Sequence, residues 1–122
     1  MPTPLDHSAS VLLDEAANII RSRGWTQGIA VDPRTKKVDI LGAVAIAAGC
    51  RESKIFEDGF PLLAAPLTSR VAALRAWEVL DSQLMEDPLT WNDRQGRSSE
   101  EVLSLLRNLS MDLALKSDNS RS

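Results

Sequence analysis

The chain has 122 residues, of which 43% are hydrophobic and 25% charged, and its formal net charge is −3. These values suit one soluble globular domain, long enough to bury a core without staples, and argue against a broad nucleic-acid-binding face. A single cysteine, Cys50, excludes an internal disulfide, and with a single histidine, His7, the chain offers too few soft ligands for a transition-metal site.

The first residues, Met1-Pro2-Thr3-Pro4-Leu5-Asp6, lack both the basic and the apolar parts of a secretory leader, so a cytoplasmic location is expected. Residues 1–7 carry two prolines and no period and read as a flexible lead. The first predicted helix runs from Ser8 to Arg23. Leu12, Ala16, Ile19 and Ile20 share one face, with Leu13 and Ala17 at its edge, and Gly24 is a natural stop.

Residues 25–38 change character. Ile29-Ala30-Val31 and Lys36-Lys37-Val38 flank Asp32-Pro33-Arg34-Thr35, where proline presets the φ of a type I turn. The pattern suggests a small β-hairpin near residues 29–38, or an irregular loop.

The next stretch, Asp39 to Gly49, organises the rest. Asp39 is a good N-cap, Gly49 a good terminating residue, and every residue between them is apolar or glycine. A helix apolar all round is a buried helix, and about nine residues at 1.5 Å rise is too short to cross a bilayer. No membrane partner is expected.

Beyond it, residues 50–61 have room for one or two short helical turns, and Pro61 and Pro66 punctuate a connector. A third helix is expected from Thr68 or Ser69 to Leu84, with Ala73, Ala76, Trp77, Leu80 and Leu84 as its stripe. Met85 to Gly96 reads as a loop. Ser98-Ser99-Glu100-Glu101 is a capping box that opens a fourth helix, whose apolar face is Val102, Leu105, Leu106, Leu109 and Leu113. Residues 116–122 have nothing to bury and read as a flexible tail. The expectation is a mainly α, compact four-helix domain over residues 8–115, built around the short central helix.

Chemistry is sparse. Glycine-rich phosphate loops are absent, so no cofactor is implied, and no nucleophile–base pair stands out. A carboxylate enzyme would need a cleft lined by several of Asp32, Asp39, Asp58 and Asp93. Ala45, Gly49 and Ile55 have helix-turn-helix spacing, which would make Arg51, Ser53 and Lys54 the DNA-contacting residues. Glu52, Glu57 and Asp58 would oppose phosphate there, so nucleic acid is not the favoured partner. Trp25 and Trp91, each followed by polar residues, either close an end of the core or anchor a protein interface together with Asn92 and Asp93.

Trp25-x-Gln27-Gly28, Leu41-Gly42-Ala43 with Ala47-Ala48-Gly49, and Trp91-Asn92-Asp93-x-x-Gly96-Arg97-Ser98-x-Glu100-Glu101-Val102 together resemble a family of small uncharacterised actinobacterial and actinophage proteins. Its members often carry a cysteine at the position of Asp39. The resemblance spans about residues 10–110 and implies an actinobacterial or phage setting but no catalytic activity. The leading expectation is a module acting on an unknown protein partner, with room for a homodimer. A helix-turn-helix regulator and a carboxylate enzyme are the alternatives.

Overall fold

The computed structural model describes residues 4–55 and 60–119, with side chains as far as residue 115. It is mainly helical, as the periodicities suggest. The elements are α1 (Pro4–Arg23), α2 (Ile40–Ala47), α3 (Glu52–Ile55), a 3-10 turn (Pro61–Ala64), α4 (Leu67–Leu84), α5 (Pro88–Asp93) and α6 (Ser99–Asn119). The four expected helices are α1, α2, α4 and α6; α3 is a short helical turn within the 50–61 stretch, and α5 is an added short helix. Asp58, Phe56 and Gly59 lie outside the described residues.

Helix α1 begins at Pro4, ahead of the predicted Ser8. Proline suits a first helical turn, since its fixed φ is helical and its missing N–H has no partner there anyway. The buried face is Ala9, Leu12, Leu13, Ala16, Ala17 and Ile20, and Ile19 is only half-buried. Leu13 and Ala17 therefore sit at the centre of the stripe because α6 covers that side. The two helices run antiparallel and are pinned by a reciprocal serine pair. Ser10 Oγ donates to Ser110 O at 2.7 Å, and Ser110 Oγ donates to Ser10 O at 2.7 Å. From α6, Val102, Leu106, Leu109 and Leu113 fill the core, while Leu105 stays half-buried. The capping box forms as expected: Glu101 N–H donates to Ser98 Oγ at 3.2 Å and Ser98 N–H to Glu101 Oε1 at 3.1 Å.

Helix α2 is the central element, with Ile40 to Ala45 all buried. Asp39 caps it by accepting from Gly42 N–H at 2.8 Å, and Gly49 leaves it at φ 89°. Gly42 is required for a second reason. A Cβ there would stand 1.9 Å from the Ala30 carbonyl oxygen, so the 25–38 segment lies directly on the helix backbone.

That segment is not a hairpin. Two isolated bridges meet at Val38, one parallel from Trp25 and one antiparallel from Val31. The reason is local. Asp32 Oδ1 accepts from Arg34 N–H at 2.8 Å and Thr35 N–H at 3.3 Å, and Lys36 adopts φ 66°. The turn is thereby tightened onto Asp32, and the backbone groups of Val38 pair with Gly24 and Thr26 instead of extending a ladder.

The predicted loop from Met85 to Gly96 contains α5. Pro88 occupies its first turn and Asp87 caps it, accepting from Leu89 N–H at 3.1 Å. Helix α4 buries Ala72, Ala73, Ala76 and Leu80. Trp77 is half-buried, its ring edge-on to Phe60 with centroids 5.7 Å apart.

Candidate functional site

The Trp25–Gly28 loop and the start of α2 converge on one residue, Asn92, at the end of α5. Its side chain is fully buried and uses its whole hydrogen-bonding capacity. Asn92 Oδ1 accepts from Trp25 Nε1 at 2.8 Å and from Ile40 N–H at 3.1 Å. Nδ2 donates to Asp93 Oδ1 at 2.8 Å and to Thr26 O at 3.4 Å. Gln27 Nε2 donates to the carbonyls of Asn92 and Arg94 at 2.9 and 3.0 Å, and Gly28 N–H donates to Asp93 Oδ1 at 3.0 Å. Helix α5 thus holds the Trp25–Gly28 loop and the N-terminus of α2 at once.

Trp25, Asn92 and Asp93 are therefore brought together. Trp91 sits one residue away and faces a different group: the Arg97 guanidinium lies 4.0 Å from its ring centroid. Both tryptophans are half-buried. Gln27 is a further part of this node that its residue type alone did not single out. Its place in the Trp-x-Gln-Gly run was the available signal.

Asp39 belongs to the same node. It is 2% exposed, and burial, helped by the negative charge of Asp93, pushes its carboxyl up to about 7 against the pull of the Gly42 and Leu41 N–H groups. A carboxyl poised there has the acidity of a general acid or base, but its burial keeps a substrate from reaching it. Asp32 lies apart in its turn, where the Arg34 and Thr35 N–H groups hold its carboxyl below the ordinary value.

Arg51, Ser53 and Lys54 are exposed at α3, away from the node. Ala45 and Ile55 are buried on either side of the Gly49 turn. The described α3 is a single turn, and Glu52 within it pairs with Arg23 at 2.7 Å and Lys36 at 3.5 Å.

Two grooves lie elsewhere. One of about 330 Å³ runs between α1 and α4, with Leu12, Ala47 and Ala72 as an apolar floor and His7, Val11 and Thr68 at the sides. Val11, Leu67 and Val71 in this region are 55%, 74% and 56% exposed. The other, of about 280 Å³, lies between α4 and α6, where Asp6 and Arg75 pair at 3.0 Å. Among the described residues, no three or more His, Cys, Asp or Glu side chains gather as a metal site, and no helix is long and apolar enough to cross a membrane.

The chain belongs to a family of unknown function, DUF6197, whose pattern matches residues 4–110. No curated protein and no solved structure matches it.

Proposed function

We propose that the protein works by protein–protein contact, as a regulatory or host-modifying module in an actinobacterial or phage setting and in the cytoplasm, and that the contact surface is the α1–α4 groove. The observation that carries this reading is the exposure of Val11, Leu67 and Val71 beside an apolar floor. Leu67 and Val71 share one face of α4 at i, i+4, next to the Thr68–Ala72 stripe that lines the groove. Such a patch suits the apolar face of an incoming helix. Trp25 and Trp91 support the fold in this reading, because the Trp25 indole N–H is already committed to Asn92.

A photo-crosslinking residue placed at Val71, with the same residue at Gln95 as control, tests it. The expected result is a cross-linked species from Val71 alone, lost when Val11→Asp is added and the melting temperature is unchanged. Cross-linking of equal strength from both positions overturns the assignment. A homodimer would give a cross-linked species of twice the chain mass from purified protein.

A second reading, a helix-turn-helix regulator, keeps one supporting observation: Ala45, Gly49 and Ile55 have the burial and turn geometry that spacing requires. Binding to bulk duplex DNA that weakens with salt and disappears in Arg51→Ala/Lys54→Ala would promote it.

A further inference from the structure

The face that holds the α1–α4 groove carries both halves of a joint. Asp6 pairs with Arg75, while His7 to Glu15 meet Thr68 to Ala72 across the groove, so α1 and α4 run antiparallel. Successive residues of a helix turn by about 100°. On α4, Thr68 and Ala72 therefore wall the groove, Leu67 and Val71 come one step further round as an exposed ridge, and Arg70 follows on the ridge's far flank. There its Nε donates to Ala65 O at 3.1 Å, and its terminal nitrogens have no partner among the described residues. On α1, Val11 and Glu15 form the opposite bank at i, i+4. Glu15 is exposed and also has no partner among the described residues. The neighbouring charges are satisfied within the chain: Arg75 pairs with Asp6 and Glu78, and Arg107 with Asp14. Across the face the order is thus acid, groove, ridge, base.

We propose that the occupant of this face is a second copy of the chain, an inference that rests on the reading of the groove as the contact surface. A ridge next to a groove on one face is what an isologous two-fold contact needs, because each copy supplies both parts. A two-fold axis lying in the face, along α4 and between groove and ridge, lays Leu67 and Val71 of each copy into the other's groove. The same operation reverses the order of acid, groove, ridge and base. Arg70 of the second copy then overhangs the Val11–Glu15 bank within about one helical turn of Glu15, a span that the two side chains together bridge. The pair forms twice. Val11, Leu67 and Val71 of each copy leave water, and two uncommitted charges of opposite sign meet. A foreign helix could fill the groove, but the second copy answers groove, ridge and both charges at once.

Sedimentation equilibrium of the purified full chain tests it. The expected result is a monomer–dimer equilibrium with a Kd on the order of 10 µM, weakened by salt because the Glu15–Arg70 pairs lie at the rim. Val71→Asp should leave monomer at every concentration, with the melting temperature of the parent. Glu15→Arg should raise Kd about tenfold, and Glu15→Arg/Arg70→Glu should recover most of that loss. A species of single-chain mass up to about 1 mM overturns the proposal. So does a dimer that survives Val71→Asp, or a double variant that associates no better than Glu15→Arg alone. Should the Arg70 variant fail to fold through loss of its Ala65 bond, Glu15→Arg decides, and an unchanged Kd there is equally fatal. Failure of the groove itself reads differently, as equal cross-linking from Val71 and Gln95. A monomer that cross-links a different protein from Val71 alone removes the dimer and leaves the groove standing.

Discussion

Gly42 and Ala30 touch backbone to backbone: the carbonyl oxygen of Ala30 occupies the space where any side chain at Gly42 would begin. The same oxygen accepts the Asp39 N–H at 3.0 Å, so it is fixed where it stands. Gly42→Ala should therefore cost about 3 kcal/mol, the upper end of what overpacking a core costs, because backbone rather than a flexible side chain must move. Urea unfolding measures it. A variant within about half a kcal/mol of the parent would mean that the 25–38 segment does not rest on α2.

Asn92→Ala should be among the more damaging single substitutions outside the apolar core. It strips the partner from the Trp25 indole and from the Ile40 N–H, each of which then costs about 1–3 kcal/mol if left buried and unpaired. Thermal melts, together with a shift in tryptophan emission from Trp25, report it. An unchanged melting temperature with unchanged emission would contradict the network.

The pH dependence of stability follows from the raised Asp39 carboxyl. Its folded value of about 7 lies above the ordinary 3.8, so folding takes up a proton between the two. The stability this contributes is complete below about pH 4 and is lost as pH rises toward and through 7. Asp39→Asn removes the dependence while keeping the cap. Relative to the parent, the variant should gain stability from about pH 4 to about pH 7, on the order of a few kcal/mol, and hold that gain above. Taking the difference cancels the opposite contributions of Glu52 and Glu101, whose carboxyls are lowered by Arg23 and Arg97. A difference that is flat with pH contradicts the burial of an ionisable Asp39.

The run from Trp91 to Glu101 should behave as one structural unit. Ser98→Ala removes the cap of α6 and should cost about 1 kcal/mol. Trp91→Ala should cost more, about 2–3 kcal/mol, since its ring is half-buried and carries the Arg97 guanidinium. Melts of both variants check this. A Trp91→Ala protein of full stability that has lost its partner would return Trp91 to the role of interface anchor.

The helical framework was legible because it is written locally. Leu12, Ala16 and Ile20 recur at helical spacing, Asp39 announces α2, and Ser98 with Glu101 announces α6. Two things escaped that reading for one physical reason: they depend on partners distant in sequence. The Asp32 turn looks like a hairpin turn until Trp25 is seen to compete for Val38. Asn92 and Asp93 look like loop residues until the Trp25–Gly28 loop and the α2 N-terminus arrive to fill their hydrogen bonds. The α1–α4 groove was hidden for a related reason. Val11, Leu12 and Ala72 lie on separate helices, and only the packing brings them to one groove.

The reciprocal bonds between Ser10 and Ser110 fasten α1 to α6, across 100 residues. During synthesis α1 must therefore wait. Leu13 and Ala17 stay in water until the stretch from Val102 to Leu113 has left the ribosome, and closing so long a loop comes before any of its contacts can repay it. A nascent chain halted short of residue 102 would leave the α6-facing side of α1 open to chaperones and proteases. Docking of α6 is then the event that shields this face of α1.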